Sequence, residues 1–252
     1  MCLLIVLRGR FASHPILVAG NRDERRDRKA APPGLWVGRR HRVLSPRDRQ
    51  AGGTWLGVGD HGLFAGLTNI AGVPAPADAT TRGALPHLAL DQDGLDAAVA
   101  AVEDEVGRRP FAGFQLVLAD ARRVVVLRHD GGLRRIEWTD ELLVVSNEHG
   151  PGELRLRGLG AAVAPRPSPQ EQLEALRPLL LDPGGDGWHA VRKDGAEYGT
   201  VSSSLIAVPR PAPQPDGSQP AGPQLVWRYA AGPPDTTPFQ NYGNLARRLQ
   251  PE

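Results

Sequence analysis

The chain has 252 residues, of which 40% are hydrophobic, enough to bury the core of one large domain. Its 30 basic and 28 acidic residues leave a net charge of only +2, which argues against a nucleic-acid partner. A single cysteine excludes an internal disulfide, and the seven histidines show neither His-Glu-x-x-His nor paired-cysteine spacing, so we expect no metal site and no resident cofactor.

The opening of the chain predicts buried strands rather than a signal or anchor. Residues 2–7 are apolar, but the run is too short for a secretory segment or a membrane span, which favours a cytoplasmic protein that is not transmembrane. Residues 16–19 form a second apolar run, so the two predict a β-hairpin or meander. The arginine-rich segment 22–50 contains Pro32-Pro33-Gly34 and predicts a long surface loop.

The glycines at 57, 59 and 62 allow two interpretations. Their spacing fits a dinucleotide-binding fingerprint, which requires a helix directly after the glycines. Apolar runs at 54–58 and 63–69 instead flank Gly59-Asp60-His61-Gly62, a composition typical of a tight hairpin turn. Because a strand-like run follows, the hairpin is favoured.

The middle of the chain predicts one helix and then a meander. Apolar residues recur at helical spacing from Leu95 to Val106, and the pattern ends near Gly107. Four apolar runs separated by turn residues then predict antiparallel strands. These runs are 114–118, 124–127, 133–138 and 142–145.

The last third of the chain predicts a short helix and two strands. Ser168-Pro169-Gln170-Glu171 has capping-box spacing with proline at the first helical position, so a helix of two to three turns should follow. Strands are expected at 198–208 and 225–229, joined by a flexible proline-rich loop at about 209–224. No repeat or linker divides the chain, so residues 1–252 are predicted to form one domain.

Cys2 is the residue that points most directly to chemistry. A residue as small as cysteine after the initiator permits removal of Met1, which leaves a free α-amine beside the thiol. With an ordinary pKa near 8, the amine is partly neutral at pH 7 and can activate the thiol as a base. The alternative is a small buried residue at the start of a strand.

The tetrapeptide Asn21-Arg22-Asp23-Glu24, some twenty residues beyond Cys2, resembles the NRDE family, which is also called the transport and Golgi organisation protein 2 family. The order and spacing of further motifs extend the resemblance over residues 2–208. These motifs are Gly52-Gly53-Thr54-Trp55-Leu56-Gly57, Ala65-Gly66-Leu67-Thr68-Asn69, Ser146-Asn147 and Tyr198-Gly199-Thr200.

That family in turn resembles N-terminal-nucleophile hydrolases of the choloylglycine hydrolase and penicillin V acylase type. The resemblance implies an α+β fold, a four-layer αββα sandwich with two antiparallel sheets between helical layers. It also implies catalytic roles for Cys2 as nucleophile, Asp23 as the residue that orients the α-amine, and Asn69 and Asn147 as the asparagines that hold the oxyanion and the amine. The alternative for the two asparagines is that they only end strands.

The shared motifs also imply a set of residues that contact a substrate or ligand. Arg22 can lower the pKa of the thiol or bind an acidic group. The alternative is a surface ion-pair cluster of Arg22, Asp23 and Glu24 with the arginines that follow. The ligand-contacting set is Asn21, Arg22, Glu24, Trp55, Thr68, Tyr198 and Ser202.

One departure from the family pattern concerns Val201, which stands where members commonly carry arginine in Tyr-Gly-Thr-Arg-Ser-Ser. A basic contact is therefore lost, or another arginine such as Arg22 replaces it.

Two classes of function remain open. As an enzyme, the chain would open a non-peptide amide or a thioester through an acyl-Cys2 intermediate. As a binding or trafficking protein, it would hold a small-molecule ligand in the same cleft, and the resemblance implies haem or acyl-CoA and lipid as ligands.

Overall fold

The computed structural model describes residues 2–211 and 222–249, so Met1 and most of the predicted proline-rich loop lie outside the described residues. The strands in the described part are β1 Leu3–Arg8, β2 Ile16–Arg25, β3 Ala30–Val37, β4 Arg42–Asp48, β5 Leu56–Gly59, β6 Phe64–Asn69, β7 Phe114–Ala119, β8 Val124–His129, β9 Leu133–Trp138, β10 Leu142–Ser146, β11 Tyr198–Val208, β12 Val226–Ala230 and β13 Gln240–Asn241. The helices there are α1 Ala84–Leu90, α2 Leu95–Arg108, α3 Leu159–Val163, α4 Pro169–Leu176 and α5 Gly243–Leu249, with a 3-10 helix at Arg177–Leu181.

The strands form two antiparallel sheets. One sheet has the order β10-β1-β2-β11-β12-β13, and the other has the order β3-β4-β5-β6-β7-β8-β9. The opening pair β1–β2 is antiparallel, as the sequence predicts, with Leu3 opposite Asn21. Strand β1 therefore lies inside its sheet, between β10 and β2.

Side-chain alternation divides the core into three layers. Leu4 and Val6 of β1 pack between the two sheets, whereas Leu3 and Ile5 face a cluster formed with α3, α4 and the 3-10 helix. The opposite face of the second sheet packs on α1 and α2. Because both faces of β1 are buried, its sequence is continuously apolar rather than alternating. The result is the predicted four-layer α+β sandwich.

Local sequence signals place two of the helices. Helix α2 spans the predicted periodic segment, and α4 begins where the capping box predicts, with the Ser168 hydroxyl oxygen accepting from the Glu171 backbone N–H. Gly62 has φ +80°, and β6 follows the turn directly, so the hairpin interpretation is confirmed and the dinucleotide interpretation is excluded. No helix in the described part of the chain is long and apolar enough to cross a membrane.

The predicted surface loop at 22–50 is wrong. Strand β2 continues to Arg25, and β3 and β4 follow. Residues 22–50 have the composition of a loop partly because β3 is an edge strand that contains two prolines. The pairing of β3 with β4 shifts register around them, between Ala31 and Gly34. An edge strand tolerates proline at such an irregularity because the lost N–H faces away from the ladder.

The predicted four-stranded meander is correct for three strands only. Strands β7, β8 and β9 pair consecutively, but β10 crosses to the other sheet and pairs with β1, placing Ser146 opposite Leu3. An apolar run alone does not specify which of two sheets buries it. This crossing carries Asn147 to the end of β1.

Candidate active site

Cys2 lies at the end of a central strand, immediately before β1, and its side chain is buried. Its carbonyl oxygen accepts from the backbone N–H of Asn147 at 3.2 Å. Burial raises the pKa of the Cys2 thiol, while a hydrogen bond from the Asp23 backbone N–H and the nearby Arg22 guanidinium lower that pKa. The thiol needs a base before it can act as a nucleophile.

A cavity of about 290 Å³ opens beside Cys2. Its lining comes from several segments, including the end of β2, the loop before β5, the end of β6 and the loop before α1. Among the lining residues are Cys2, Arg22, Glu24, Trp55, Asn69 and Arg82. The volume is near the lower end of the range for small-molecule sites.

Asp23 is a buried carboxylate on β2, only 4% exposed. The Thr200 hydroxyl donates to its Oδ1 at 2.6 Å, and the Tyr198 hydroxyl donates to its backbone carbonyl at 2.7 Å. Burial raises the pKa of Asp23 to about 6, although the Thr200 hydrogen bond and the charge of Lys193 both lower it. A raised carboxyl pKa is typical of functional residues. Asp23 itself does not line the cavity, but its neighbours Arg22 and Glu24 on β2 do.

Arg22 is an arginine buried to 5% exposure, with its guanidinium carbon 4.4 Å from the centre of the Trp55 ring. Its ion pairs in the described part of the chain are long, with Glu24 Oε2 at 3.8 Å and Asp48 Oδ2 at 3.9 Å from the guanidinium. Asp48 is instead engaged by Arg28 at 2.7 Å. Arg22 therefore presents a desolvated cation to the cavity, held by stacking on Trp55 rather than by a close ion pair.

The two asparagines occupy different positions. Asn69 ends β6 and lines the cavity together with Cys2. Asn147 follows β10, and its backbone carbonyl accepts from Ala71 N–H at 2.9 Å. Its side-chain Oδ1 is buried and has no hydrogen-bond partner in the described part of the chain. A buried amide oxygen without a donor is costly and is an acceptor for an incoming N–H group.

Four residues of the predicted ligand-contacting set do not line this cavity. The Asn21 amide donates to the carbonyls of Leu180 and Val191 and accepts from Ser203, so Asn21 ties β2 to neighbouring segments. Thr68 is fully buried, because side chains alternate along β6 and Leu67 and Asn69 are the ones that face the cavity. The other two are Tyr198, which supports Asp23, and Ser202, which is buried on β11.

Arg82 is a cavity residue that the sequence analysis missed. Its guanidinium donates to the Gly113 carbonyl at 2.8 Å, which fixes the side chain against the cavity wall. The loop before α1 that carries Arg82 is held by close backbone contact. The Thr54 N–H donates to the Gly83 carbonyl, and a Cβ on Gly53 would lie 2.4 Å from the Gly83 backbone. No local motif marks Arg82 in so arginine-rich a chain.

Val201, in place of the family's arginine, lies where the β2–β11 pairing shifts register between Thr200 and Ser202. Val201 does not line the cavity, whereas Arg22 and Arg82 do. Arg28 also lines the cavity but is paired with Asp48, so Arg22 and Arg82 are the lining arginines that supply positive charge near Cys2.

A two-sheet antiparallel sandwich between helical layers, with a buried cysteine leading a central strand, defines the N-terminal-nucleophile hydrolase fold class. Penicillin V acylase from Agrobacterium tumefaciens has this fold, with a TM-score of 0.60, 13% identity and coverage of 99% of this chain and 88% of that one. An N-acylethanolamine-hydrolysing acid amidase orthologue from Caenorhabditis elegans superposes with a TM-score of 0.55 at 14% identity, covering 84% of this chain and 94% of that one.

Sequence comparison then gives the family. The profile of Transport and Golgi organisation 2 matches residues 1–155, and the chain belongs to this family. The mouse Transport and Golgi organization 2 homolog is 31% identical over 111 residues, 43% of this chain and 40% of the mouse protein. The bovine homolog is 32% identical over the same length. The matched region thus spans about two fifths of these relatives.

Proposed function

We propose that this protein is a Cys2-dependent hydrolase or acyltransferase that opens a non-peptide amide or a thioester after Met1 is removed. The observation that carries the proposal is the position of the Cys2 thiol at the cavity, with buried Asp23 on the neighbouring strand. A pocket, a nucleophile and a carboxylate with a raised pKa in one place are the features expected of an active site.

The free α-amine of processed Cys2 serves as the base in this proposal. Asp23 stabilises the ammonium that forms when the amine takes the thiol proton, and the Thr200 hydroxyl fixes the carboxylate. Asn147 is bonded to Cys2 through its backbone, and its Oδ1 is an acceptor for one N–H of the amine. The two side chains together hold the amine in one orientation.

The reaction proceeds in two steps. The Cys2 sulfur attacks the carbonyl carbon as its proton passes to the α-amine, and the Asn69 amide donates to the oxyanion. The carbon–nitrogen or carbon–sulfur bond then breaks, and the ammonium returns the proton to the leaving amine or thiol. Water, or another acceptor nucleophile, attacks the acyl-Cys2 thioester and releases the acid or the transferred product.

The charge of the cavity favours a substrate with an acidic group. Among the described residues, Glu24 is the closest carboxylate paired with Arg22, at 3.8 Å, and the hydrogen bond of Arg82 goes to the backbone carbonyl of Gly113. Guanidinium groups in such positions form charge-assisted, often bidentate bonds to carboxylate or phosphate. A volume of about 290 Å³ suits a small acyl group and the first atoms of its leaving group.

The same arginines support the second candidate, a protein that binds haem or acyl-CoA without turnover. Propionates or phosphates would pair with Arg22 and Arg82. For haem, the only thiolate or imidazole donor among the described lining residues is Cys2, which would be the iron ligand. For an acyl ligand, the enzyme requires the Cys2 thiol for turnover, whereas the binding protein does not require it.

Turnover of a panel of acyl thioesters and N-acyl amino acids, with and without acidic groups, tests the proposal. Wild type should release product, and Cys2→Ala should release none while keeping ligand affinity, because the thiol is needed only for the covalent step. Cys2→Ser is the matched variant that keeps size and should retain at most a trace of activity. If wild type turns over nothing, the binding protein is the correct interpretation when acyl-CoA binds equally well to wild type and Cys2→Ala, or when haem binds wild type more tightly than Cys2→Ala.

A further inference from the structure

A second group of chemically active side chains lies at the turn between β5 and β6, and none of its members lines the Cys2 cavity. Asp60 and His61 form the turn itself, and His41 immediately precedes β4. His41 Nδ1 is 2.8 Å from Asp60 Oδ1, and His61 Nδ1 is 3.3 Å from the same oxygen. The three ligand atoms all lie within 4.8 Å of one another.

These distances suit a tetrahedral metal ion. Zinc binds imidazole nitrogen and carboxylate oxygen at about 2.0–2.2 Å, so neighbouring ligands of a tetrahedral site are about 3.4 Å apart. Two imidazoles and one carboxylate make a donor set that zinc accepts, with water as the fourth ligand. Only small side-chain movements separate the observed triangle from that geometry.

The surroundings match those of a metal-ligating histidine. His41 Nε2 is 3.0 Å from Asp93 Oδ1, while its Nδ1 faces the cluster. A histidine that binds metal through one nitrogen usually donates the other N–H to a carboxylate, which fixes its tautomer. Asp60 is also oriented, because its Oδ2 accepts from the Arg42 backbone N–H at 2.9 Å.

Glycine at position 59 makes room for this arrangement. A Cβ there would lie 2.6 Å from His61 Cε1, so any other residue would push the imidazole away from Asp60. The His41 and His61 rings approach with centroids 4.0 Å apart. His61 Nε2 is buried without a partner in the described residues, so hydrogen bonding leaves this histidine only partly satisfied.

We infer that His41, Asp60 and His61 form a binding site for a divalent cation of the zinc class, which fastens the β5–β6 turn to the start of β4. The sequence did not predict it because the ligands come from two segments nineteen residues apart, without a zinc motif. A bound cation would stabilise the fold by favouring the folded state over the unfolded chain.

A second cluster, Glu148, His149 and His189, provides an internal control. His189 Nδ1 lies 3.6 Å from Glu148 Oε2, and burial together with the nearby Lys193 ammonium lowers the pKa of His189. A neighbouring cation opposes metal binding there. His189→Gln should therefore leave metal affinity unchanged.

Metal titration of tag-free, chelator-treated full-length Cys2→Ala protein tests the inference, since that background lacks the thiol ligand. We expect one equivalent of Co²⁺ to give the visible absorption of a four-coordinate ion, Zn²⁺ to displace it, and Zn²⁺ to raise the Tm. Asp60→Asn and His61→Gln should abolish these effects. Asp93→Asn should weaken binding about 10- to 100-fold, as expected for a supporting carboxylate.

Several results would overturn the inference. One is the absence of saturable metal binding, up to millimolar metal, by the Cys2→Ala protein or by the same protein carrying His189→Gln. Another is metal binding that survives Asp60→Asn or His61→Gln in variants whose circular dichroism shows a native fold. If instead His41 is an imidazolium hydrogen-bonded to Asp60 and Asp93, imidazole NMR will show both ring nitrogens protonated and unaffected by Zn²⁺. If the ligand variants do not fold, the parent titration alone decides.

Discussion

Substitution of Asp23 by asparagine should stabilise the protein at neutral pH while abolishing activity. Burial raises the pKa of Asp23 from 3.8 to about 6, so the charged form costs the folded state free energy at pH 7. The interval corresponds to about 3 kcal/mol, because one pKa unit is equivalent to about 1.4 kcal/mol. Asparagine carries no charge and can still accept from Thr200, so it should recover up to about that amount.

The sign of the pH dependence follows from proton linkage. Between about pH 4 and pH 6 the folded wild type binds a proton at Asp23 that the unfolded chain has released, so the wild type gains stability as the pH falls through that interval. The advantage of Asp23→Asn should therefore be largest above about pH 6 and vanish near pH 4.

Urea unfolding of wild type and Asp23→Asn from pH 4 to pH 8, followed by circular dichroism, measures this difference. Asp27→Asn is the matched control, because Asp27 is exposed and paired with Arg25. The free energy of unfolding of Asp27→Asn should not exceed that of wild type at neutral pH. The reasoning is refuted if Asp23→Asn is less stable than wild type at pH 7, or if its advantage does not change between pH 4 and pH 6.

Three further predictions concern binding, titration and folding. Arg22→Ala should lower the affinity for an acidic ligand at least about tenfold, measured by calorimetry, since a charge-assisted hydrogen bond contributes about 1.5–3 kcal/mol. Substitution of the exposed Arg26 by alanine should leave the affinity unchanged. Equal affinities of wild type and both variants would contradict the cavity assignment. Thr200→Val should raise the pKa of Asp23 further, because it removes the 2.6 Å hydrogen bond to the carboxylate. An Asp23 pKa that is unchanged in NMR titration of the carboxyl would contradict this contact. Ser168→Ala should lower the free energy of unfolding by about 1 kcal/mol through loss of the α4 cap, and an unchanged urea midpoint would refute that role.

The sequence predicted the elements whose signals are local. Helix α2 follows from apolar spacing, α4 from its capping box, and the β5–β6 turn from its glycines, because these signals act within a few residues. The predicted loop at 22–50 was wrong because tertiary pairing decides that segment. Asn21, Arg22 and Asp23 of β2 are buried and pair with β11, which a local pattern of charged residues does not reveal.

The candidate site was predictable only where it carries a family motif. Cys2, Asp23 and Asn69 were singled out through the resemblance. Cys2 and Asn69 line the cavity, and Asp23 lies on β2 one residue from Arg22, which also lines it; their catalytic roles stay predictions. Arg82 reaches the cavity only because the Gly53 and Gly83 backbones approach closely, and that contact has no signature in the sequence. Asn21 belongs to the same motif but serves the packing of β2.

The most direct test of the central claim is the intact mass of protein purified from its native host and mixed rapidly with a reactive acyl thioester. We expect a dominant species without Met1 that gains the mass of one acyl group. Peptide mapping should place that group on Cys2, hydrolysis should remove it, and Cys2→Ala should show no such gain. A dominant species that retains Met1, or a processed protein that never acquires the acyl mass from any thioester or amide tested, would contradict it.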